Sequence, residues 1–320
     1  GWFNLSASGL VFKFLHGLIK YRRGLNDPIA NEIKLSQIID LAGMGTIADL
    51  VPLQGENRIL ARYALHHLRN NKHLGLLALL KESRVSSVST LSSSDISFRL
   101  APRINASGRL SDASLPVELL LTEDSKFAQQ SAKELDDLNN ERRTIQKKIV
   151  EEAESKISDF PEDQLAYILH DEKWHPGVVG IVASSISRKL NCPCLILGNE
   201  GTMAKGSGRS VGGVDLVKVL TECESLLEHW GGHPMAVGVK LPQQNLEAFS
   251  KAFDQAMNRF YSEGIPEPEL EIACWVNFED LGNGLMEELS LLEPYGQMNP
   301  EPILGLKGVM LKEEAKTFAN

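Results

Sequence analysis

The sequence predicts an α/β protein built in successive parts, and three observations predict it. Residues 123–158, Glu123 to Ser158, hold no Gly or Pro and are dense in charge. Their only apolar stripe is narrow (Phe127, Leu135, Leu138, Ile145, Ile149, Ile157), so they read as one long, largely solvated helix bridging two domains. After Leu165, apolar strand runs alternate with helical spacings, the pattern of a layered α/β domain. From Leu270 two further strand runs, Leu270–Val276 and Ile303–Leu311, flank a turn-rich stretch and lack partners to complete a sheet. The expected division is 1–122, a connecting helix over 123–160, an α/β domain over 161–264 and the beginning of a β domain over 265–320.

The 320 residues allow two or three domains, and 42% hydrophobic content is that of a globular protein. No apolar run reaches the roughly 18 residues of a membrane span, so no membrane partner is expected. A net charge of −9 argues against coating nucleic acid by bulk electrostatics and confines any anion site to a few loops. Cys192, Cys194, Cys223 and Cys274 show neither disulfide density nor zinc spacing; Cys192-Pro193-Cys194 reads as a buried strand in a reducing cytoplasm. The start Gly1-Trp2-Phe3 has no initiator Met and no signal-peptide pattern, and reads as an excerpt of a longer protein.

In chain order, Gly9–Arg22 spaces Leu10, Phe12, Leu15, Leu18 and Ile19 as a helix ending in basic residues. Ile38–Leu53 reads as small-residue packing running into a strand with Asp49 at its end, where carboxylates of open α/β sheets act. The plain alternatives are a helix cap for Asp49 and a helix charge for Asp40. Gly55–Arg58 leads into a helix, Ile59–Asn70, whose adjacent His66 and His67 point about 100° apart and read as surface residues. Arg84–Ile96 is a Ser-rich loop or edge. Phe98–Arg109 reads as a loop punctuated by Pro102 and Gly108, with Arg103 and Arg109 flanking Asn105 and Ser107. Guanidinium forks match phosphate oxygens bidentately; the alternative is a solvated basic loop.

In the second half, strand Leu165–Leu169 precedes Trp174-His175-Pro176-Gly177, the entry to a helix reaching Leu190. Glycines there free helix-start amides for an anion, and His175 is either functional or structural. Strand Pro193–Leu197 follows. Ala204–Ser210 reads as a glycine-spaced turn offering Lys205, Ser207 and Arg209 to a phosphate, though not as a Walker loop. A helix over Val214–Trp230 leads to a Gly231-Gly232-His233 turn and a strand, Val237–Leu241. Gly231 and Gly232 allow close backbone approach to a ligand; the bland alternative is a tight turn whose His makes a local hydrogen bond. Asn245–Tyr261 is a closing helix.

Four stretches in one order, Gly45–Leu53 with Glu56-Asn57-Arg58, Arg103–Arg109, His175–Ala183 and Gly231–Gly238, resemble the later motifs of the RecJ family, single-stranded-DNA-specific exonucleases of the DHH phosphoesterase superfamily. The resemblance covers almost the whole chain, and Pro294–Pro302 resembles the entry to that family's OB fold. It implies the C-terminal part of a DHH domain over 1–122, a DHH-associated domain over 161–264 and the start of an OB fold over 265–320. The family's Asp-His-His signature is absent, since Leu65-His66-His67 does not match it. The resemblance also implies Mn²⁺ or Mg²⁺ in a two-metal site with Asp49, in preference to Asp40, as this chain's ligand. Arg109, Ser207 and Arg209 are expected to grip a 5′-phosphate, with Arg103 and Asn105 supporting them or holding DNA backbone. His233, beside Gly231 and Gly232, is expected at the scissile phosphate, with His175 a second candidate. The implied activity is 5′→3′ degradation of single-stranded DNA in repair and recombination, in the cytoplasm, with single-strand-binding protein or helicase partners. Two other readings stand beside it: a DHH phosphoesterase on oligoribonucleotides or cyclic dinucleotides, and a nucleic-acid-binding module without catalysis.

Overall fold

The computed structural model describes residues 4–70, 73–85, 87–161, 163–310 and 313. Two compact units divide the chain, one formed by 1–105, 114–136 and 270–320, the other by 106–113 and 137–269.

The first unit is helical: α1 (Ala7–Gly24), α2 (Ile39–Ala48), α3 (Gly55–Leu68), α4 (Leu74–Glu82), the first half of α5 (Ala101–Leu110), α6 (Ser114–Leu121) and the start of α7 (Ser125–Ile157). The strand expected before Asp49 is instead helix α2, with Asp49 as its C-cap residue. Burial on several sides explains the difference, because Asp40, Ala42, Gly43, Met44, Thr46 and Ile47 are all buried and a helix apolar all round shows no 3.6-residue stripe. The small residues let neighbours come close. A methyl group at Gly43 would lie 2.1 Å from the Ala64 Cβ of α3 and 2.7 Å from the Leu60 carbonyl oxygen. Gly43→Ala is therefore expected to cost about 1–3 kcal/mol by overpacking, read as a lowered midpoint in thermal unfolding.

The loop expected over Phe98–Arg109 is also helical. A wide, π-type turn at Ile96–Leu100, in which the Ala101 amide donates to the Ile96 carbonyl, runs into α5. Pro102 has no N–H and its ring crowds the carbonyl four residues back, so the widened turn ahead of it accommodates what a regular helix interior resists. The motif Glu56-Asn57-Arg58 is an anchor. Asn57 Nδ2 donates to the Asn4 and Pro52 carbonyls at 2.6 and 3.0 Å, and Arg58 Nη2 donates to the Leu292 carbonyl at 2.7 Å. The Leu53 amide donates to the Gln297 carbonyl and Ser93 Oγ to the Tyr295 carbonyl, stitching the 292–299 loop to these helices. Of the expected strands over 270–276 and 303–311, only β6 (Cys274–Trp275) and β7 (Leu304–Gly305) form, paired in parallel, with helix α11 (Asn283–Ser290) between them; Leu311 lies outside the described residues.

The second unit is built on a five-stranded sheet: β1 (Tyr167–His170), β2 (Cys194–Glu200), β3 (Met203–Arg209), β4 (His229–His233) and β5 (Ala236–Pro242), in the order β1-β2-β3-β5-β4. Only the β1–β2 pair is parallel, and α8 (Val179–Leu190) makes that crossover. Leu195, Leu197, Ala204, Val237, Val239 and Leu241 bury one face under α9 (Leu216–Thr221) and α10 (Leu246–Tyr261). On the other face Tyr167, Leu169, Cys194 and Ile196 pack with Val179, Val182 and Ile186 of α8 and Ile149 and Ala153 of α7. Burial pushes the Cys192 thiol up to about 12 and the Cys194 thiol higher still, so both are inert apolar filling.

Two turns expected from glycine are strands. Ala204, Gly206 and Gly208 of β3 are buried, and a Cβ at Gly206 would sit 2.2 Å from the Ile196 carbonyl oxygen, so these glycines serve close strand contact rather than a turn. Gly231-Gly232-His233 ends β4, and the reversal lies at Pro234-Met235. The helix expected over Val214–Trp230 is confined to α9 and a short 3₁₀ turn, Glu224–Leu226.

Candidate functional site

Strand alternation decides what the second unit exposes. Side chains two apart share a face, so Lys205, Ser207 and Arg209 stand on the side of β3 that carries α8. A Cβ on Gly180, in the first turn of α8, would lie 3.2 Å from Ser207 Oγ and 3.4 Å from Arg209 Nη2, which puts both side chains against the start of that helix. Early helix amides lack intrahelical acceptors and favour an anion.

Register carries this face outward. Ser207 pairs with Gly238, which pairs with Gly231; Arg209 pairs with Ala236, which pairs with His233. At about 4.8 Å per strand, His233 stands roughly 10 Å from Arg209 on the same side of the sheet. A Cβ at Gly231 or Gly238 would meet nothing within 4 Å, so the sheet here is a bare backbone floor with an imidazole at its edge. Only Gly232 is conformationally obliged, with φ +145° and its Cβ position 2.3 Å from the Ala236 carbonyl oxygen. The His233 ring is exposed and, among the described residues, makes no hydrogen bond, which removes the purely local role. One row further, Glu200 bridges Lys205 and Lys240 at 2.7 and 2.8 Å, and these two contacts hold its carboxyl down to about 2.

Arg109 and Arg209 come together at the start of α8, and Arg142 of α7 is near enough to Arg109 for their charges to interact. Arg109 Nη1 donates to the Gly177 carbonyl at 3.1 Å, and Arg209 Nη1 to the Gly208 carbonyl at 2.8 Å. Arg142 of α7 donates to Asn139 Oδ1 at 2.6 Å and Gln146 Oε1 at 2.8 Å. Solvent reaches Arg109, yet enough protein surrounds it that burial lowers its pKa. Burial lowers those of Arg142 and Arg209 first, and the Arg109 charge lowers both further. Among the described residues none of the three has a carboxylate within ion-pair distance, in a chain with 42 Asp and Glu. His175 is exposed, and its Nδ1 accepts the Gly177 amide at 3.1 Å, which orders the loop holding Arg109 and leaves Nε2 to carry the ring proton. Sequence reasoning missed Arg142. Its signal is local: the residues three and four positions away, Leu138, Asn139, Ile145 and Gln146, include no acid.

In the first unit, Asp49 is exposed and shares an open hollow of about 310 Å³ with Leu41, Met44, Ala101, Ile104 and Asn105. The fold thus brings Asp49 and Asn105 together. Asp40 is buried, with His73 Nε2 at 3.6 Å, and is not part of that hollow. Arg103 is committed elsewhere: its Nη2 lies 2.8 Å from Asp136 Oδ1, and it donates to the Arg99 and Glu82 carbonyls. An exposed carboxylate fits one position of an oxygen-ligated Mn²⁺ or Mg²⁺ site. Among the described residues no three His, Cys, Asp or Glu converge to complete one.

Residues 162–259, which hold the whole sheet, match the DHHA1 domain family. Along nearly its whole length the chain is similar in sequence to RecJ exonucleases. It is 36% identical over 320 residues to the single-stranded-DNA-specific exonuclease RecJ of Bacillus subtilis, covering 99% of this chain and 39% of that protein. To RecJ of Thermus thermophilus it is 34% identical, covering 97% and 43%. The crystal structure of RecJ in complex with Mn²⁺ from Thermus thermophilus superposes with a TM-score of 0.76 at 33% identity, over 85% of this chain and 40% of that one. The chain spans about two-fifths of the length of these relatives. Among the described residues no helix is long and apolar enough to cross a membrane.

Proposed function

We propose that the second unit binds the phosphorylated 5′ end of a DNA single strand, and that the protein carrying it is a 5′→3′ exonuclease releasing mononucleotides. The observation that carries this is the carboxylate-free arginine cluster beside a side-chain-free floor. Partly desolvated like charges repel, so an arrangement without a carboxylate favours an anionic ligand. Arg109, Arg209, Ser207 and the first amides of α8 offer guanidinium, hydroxyl and N–H donors to one phosphate, while Gly238 and Gly231 let the sugar–phosphate chain lie against the sheet. His233 Nε2 or Nδ1 would hydrogen-bond an oxygen of a following phosphate as charge develops on it. Arg103 and Asp136 brace the helices instead of binding DNA, and Asn105 holds backbone beside Asp49.

Asp49 would hold one position of a Mn²⁺ or Mg²⁺ site, whose chemistry when bound would be to activate water and stabilise the departing oxygen. The RecJ relatives named above are single-stranded-DNA-specific exonucleases, which supports the same substrate here. A role in DNA repair and recombination in the cytoplasm, beside a single-strand-binding protein or helicase, goes with that reading. The alternative of a cyclic dinucleotide substrate is disfavoured because it has no terminal phosphate for the arginines to hold.

The experiment compares oligothymidylates bearing 5′-phosphate, 5′-hydroxyl or 3′-phosphate ends by fluorescence anisotropy. Arg209→Ala is expected to reduce the preference for the 5′-phosphate about tenfold, the value of one charged hydrogen-bonding partner. A preference for the 3′-phosphate, or none at all in the unsubstituted chain, would overturn the reading.

A further inference from the structure

We infer that Arg58 is a positioning residue for Asp49: by clamping the 292–299 loop onto the turn that follows Asp49, it fixes where that exposed carboxylate stands. The inference rests on the reading of Asp49 as one ligand of a Mn²⁺ or Mg²⁺ site and names what holds that ligand in place. Metal ligands need outer support, because an unbraced carboxylate spends little time in the coordinating geometry.

Asp49 has no brace of its own. Its carboxylate is exposed and, among the described residues, has no hydrogen-bond or ion-pair partner. It caps α2, and the next residue, Leu50, takes the left-handed conformation at φ +55° although it is not a glycine. A bulky residue stays in that region only where its surroundings hold it. The hold comes just after it. Asn57 Nδ2 donates to the Pro52 carbonyl at 3.0 Å, the Leu53 amide donates to the Gln297 carbonyl at 2.8 Å, and Gln54 Nε2 donates to the Met298 carbonyl at 3.3 Å. Leu53 is buried against Gly296, where a Cβ would lie 2.7 Å from Leu53 Cδ1.

Arg58 fastens the other end of that loop. Its Nη2 donates to the Leu292 carbonyl at 2.7 Å and to the Glu293 carbonyl at 3.2 Å, and Arg69 adds an ion pair to Glu293 at 3.2 Å. Both Arg58 acceptors are main-chain oxygens, so what this guanidinium fixes is the path of the backbone. The helices do not depend on it: α2 lies on α3 where Gly43 meets Ala64 and Leu60. Removing Arg58 therefore loosens the loop and, through Leu53, the turn at Asp49, while α2 and α3 stay packed.

The test follows amide hydrogen exchange of this chain by nuclear magnetic resonance. Arg58→Ala is expected to speed exchange at Leu53 about tenfold, the value of a lost hydrogen bond to a charged group, while Ala61, Ala64 and Leu65 inside α3 keep their protection. Arg58→Lys, still able to donate to a loop carbonyl, should restore most of it. In the protein carrying this chain, the Mn²⁺ concentration for half-maximal cleavage of 5′-phosphorylated oligothymidylate is expected to rise about tenfold in Arg58→Ala, with the maximal rate little changed. A merely structural role would lower the maximal rate in step with the folded fraction and leave the Mn²⁺ requirement alone. Unchanged exchange at Leu53, equal acceleration throughout α3, or an unchanged Mn²⁺ requirement while Asp49→Asn still impairs it overturns this inference. Asp49→Asn without effect on either the Mn²⁺ requirement or the rate overturns the ligand reading beneath it.

Discussion

Replacing Trp174 by alanine is expected to destabilise the second unit by about 3–5 kcal/mol, the range for emptying a large aromatic site in a packed core. Trp174 is 2% exposed and lies in the cluster joining α7, α8 and β2. Its Nε1 donates to Glu152 Oε2 at 2.8 Å, so the substitution also leaves a carboxylate of α7 without its donor. Lys156, one turn on, sits over the ring at 5.5 Å and pairs with Asp171 at 3.2 Å. Gly198 of β2 comes so near that a Cβ there would lie 2.0 Å from the Trp174 carbonyl oxygen. The ring therefore pins both the helix and the His175-Pro176-Gly177 loop whose carbonyl holds Arg109. Urea unfolding followed by circular dichroism measures the loss; Trp174→Phe should recover most of it, and Glu152→Gln alone should cost about 1 kcal/mol. Equal midpoints for Trp174→Ala and the unsubstituted chain would mean the ring carries no packing. The weakened loop should also reduce affinity for a phosphorylated DNA end.

Element type was legible where the chain gives one consistent signal. The Gly- and Pro-free charged run became α7 because nothing in it interrupts a helix. It was illegible where one residue type serves two ends. Glycine marks turns, yet Gly206 and Gly208 sit inside β3 because neighbouring strands crowd their buried face, and Gly231 lies in β4 where open space above the sheet is the point. Proline marks helix ends, yet a wide turn carries the chain through Pro102. Ser207, Arg209 and His233 stood out by residue type, but their common face follows from register between strands distant in sequence. Arg103 and Arg109 looked equivalent. Only the fold separates them, pairing Arg103 with Asp136, 33 residues away, and leaving Arg109 without an acid. Arg142 was hidden in a run where charge is the rule.

A side chain added to the floor should separate ligand binding from folding more sharply than any arginine substitution. Gly238→Leu is expected to leave the free energy of unfolding within about 0.5 kcal/mol of the unsubstituted chain, as for an exposed substitution, since a Cβ there meets nothing within 4 Å. The same leucine would stand between Ser207 and Gly231, one row along from the line Arg209–Ala236–His233, holding a sugar–phosphate chain away from donors that act only at hydrogen-bonding distance. Losing two charged hydrogen bonds corresponds to a fall in affinity of about a hundredfold or more. Gly232→Ala cannot serve this purpose, because its φ of +145° and the Ala236 carbonyl oxygen 2.3 Å away make it a folding variant. Gly206→Ala fails for a similar reason on the opposite face. Anisotropy with 5′-phosphorylated oligothymidylate, alongside thermal unfolding, decides the matter: a folded Gly238→Leu chain that binds as tightly as before would show that the strand lies elsewhere, whereas selective loss of binding would locate it on the bare backbone of Gly238 and Gly231, beside Ser207.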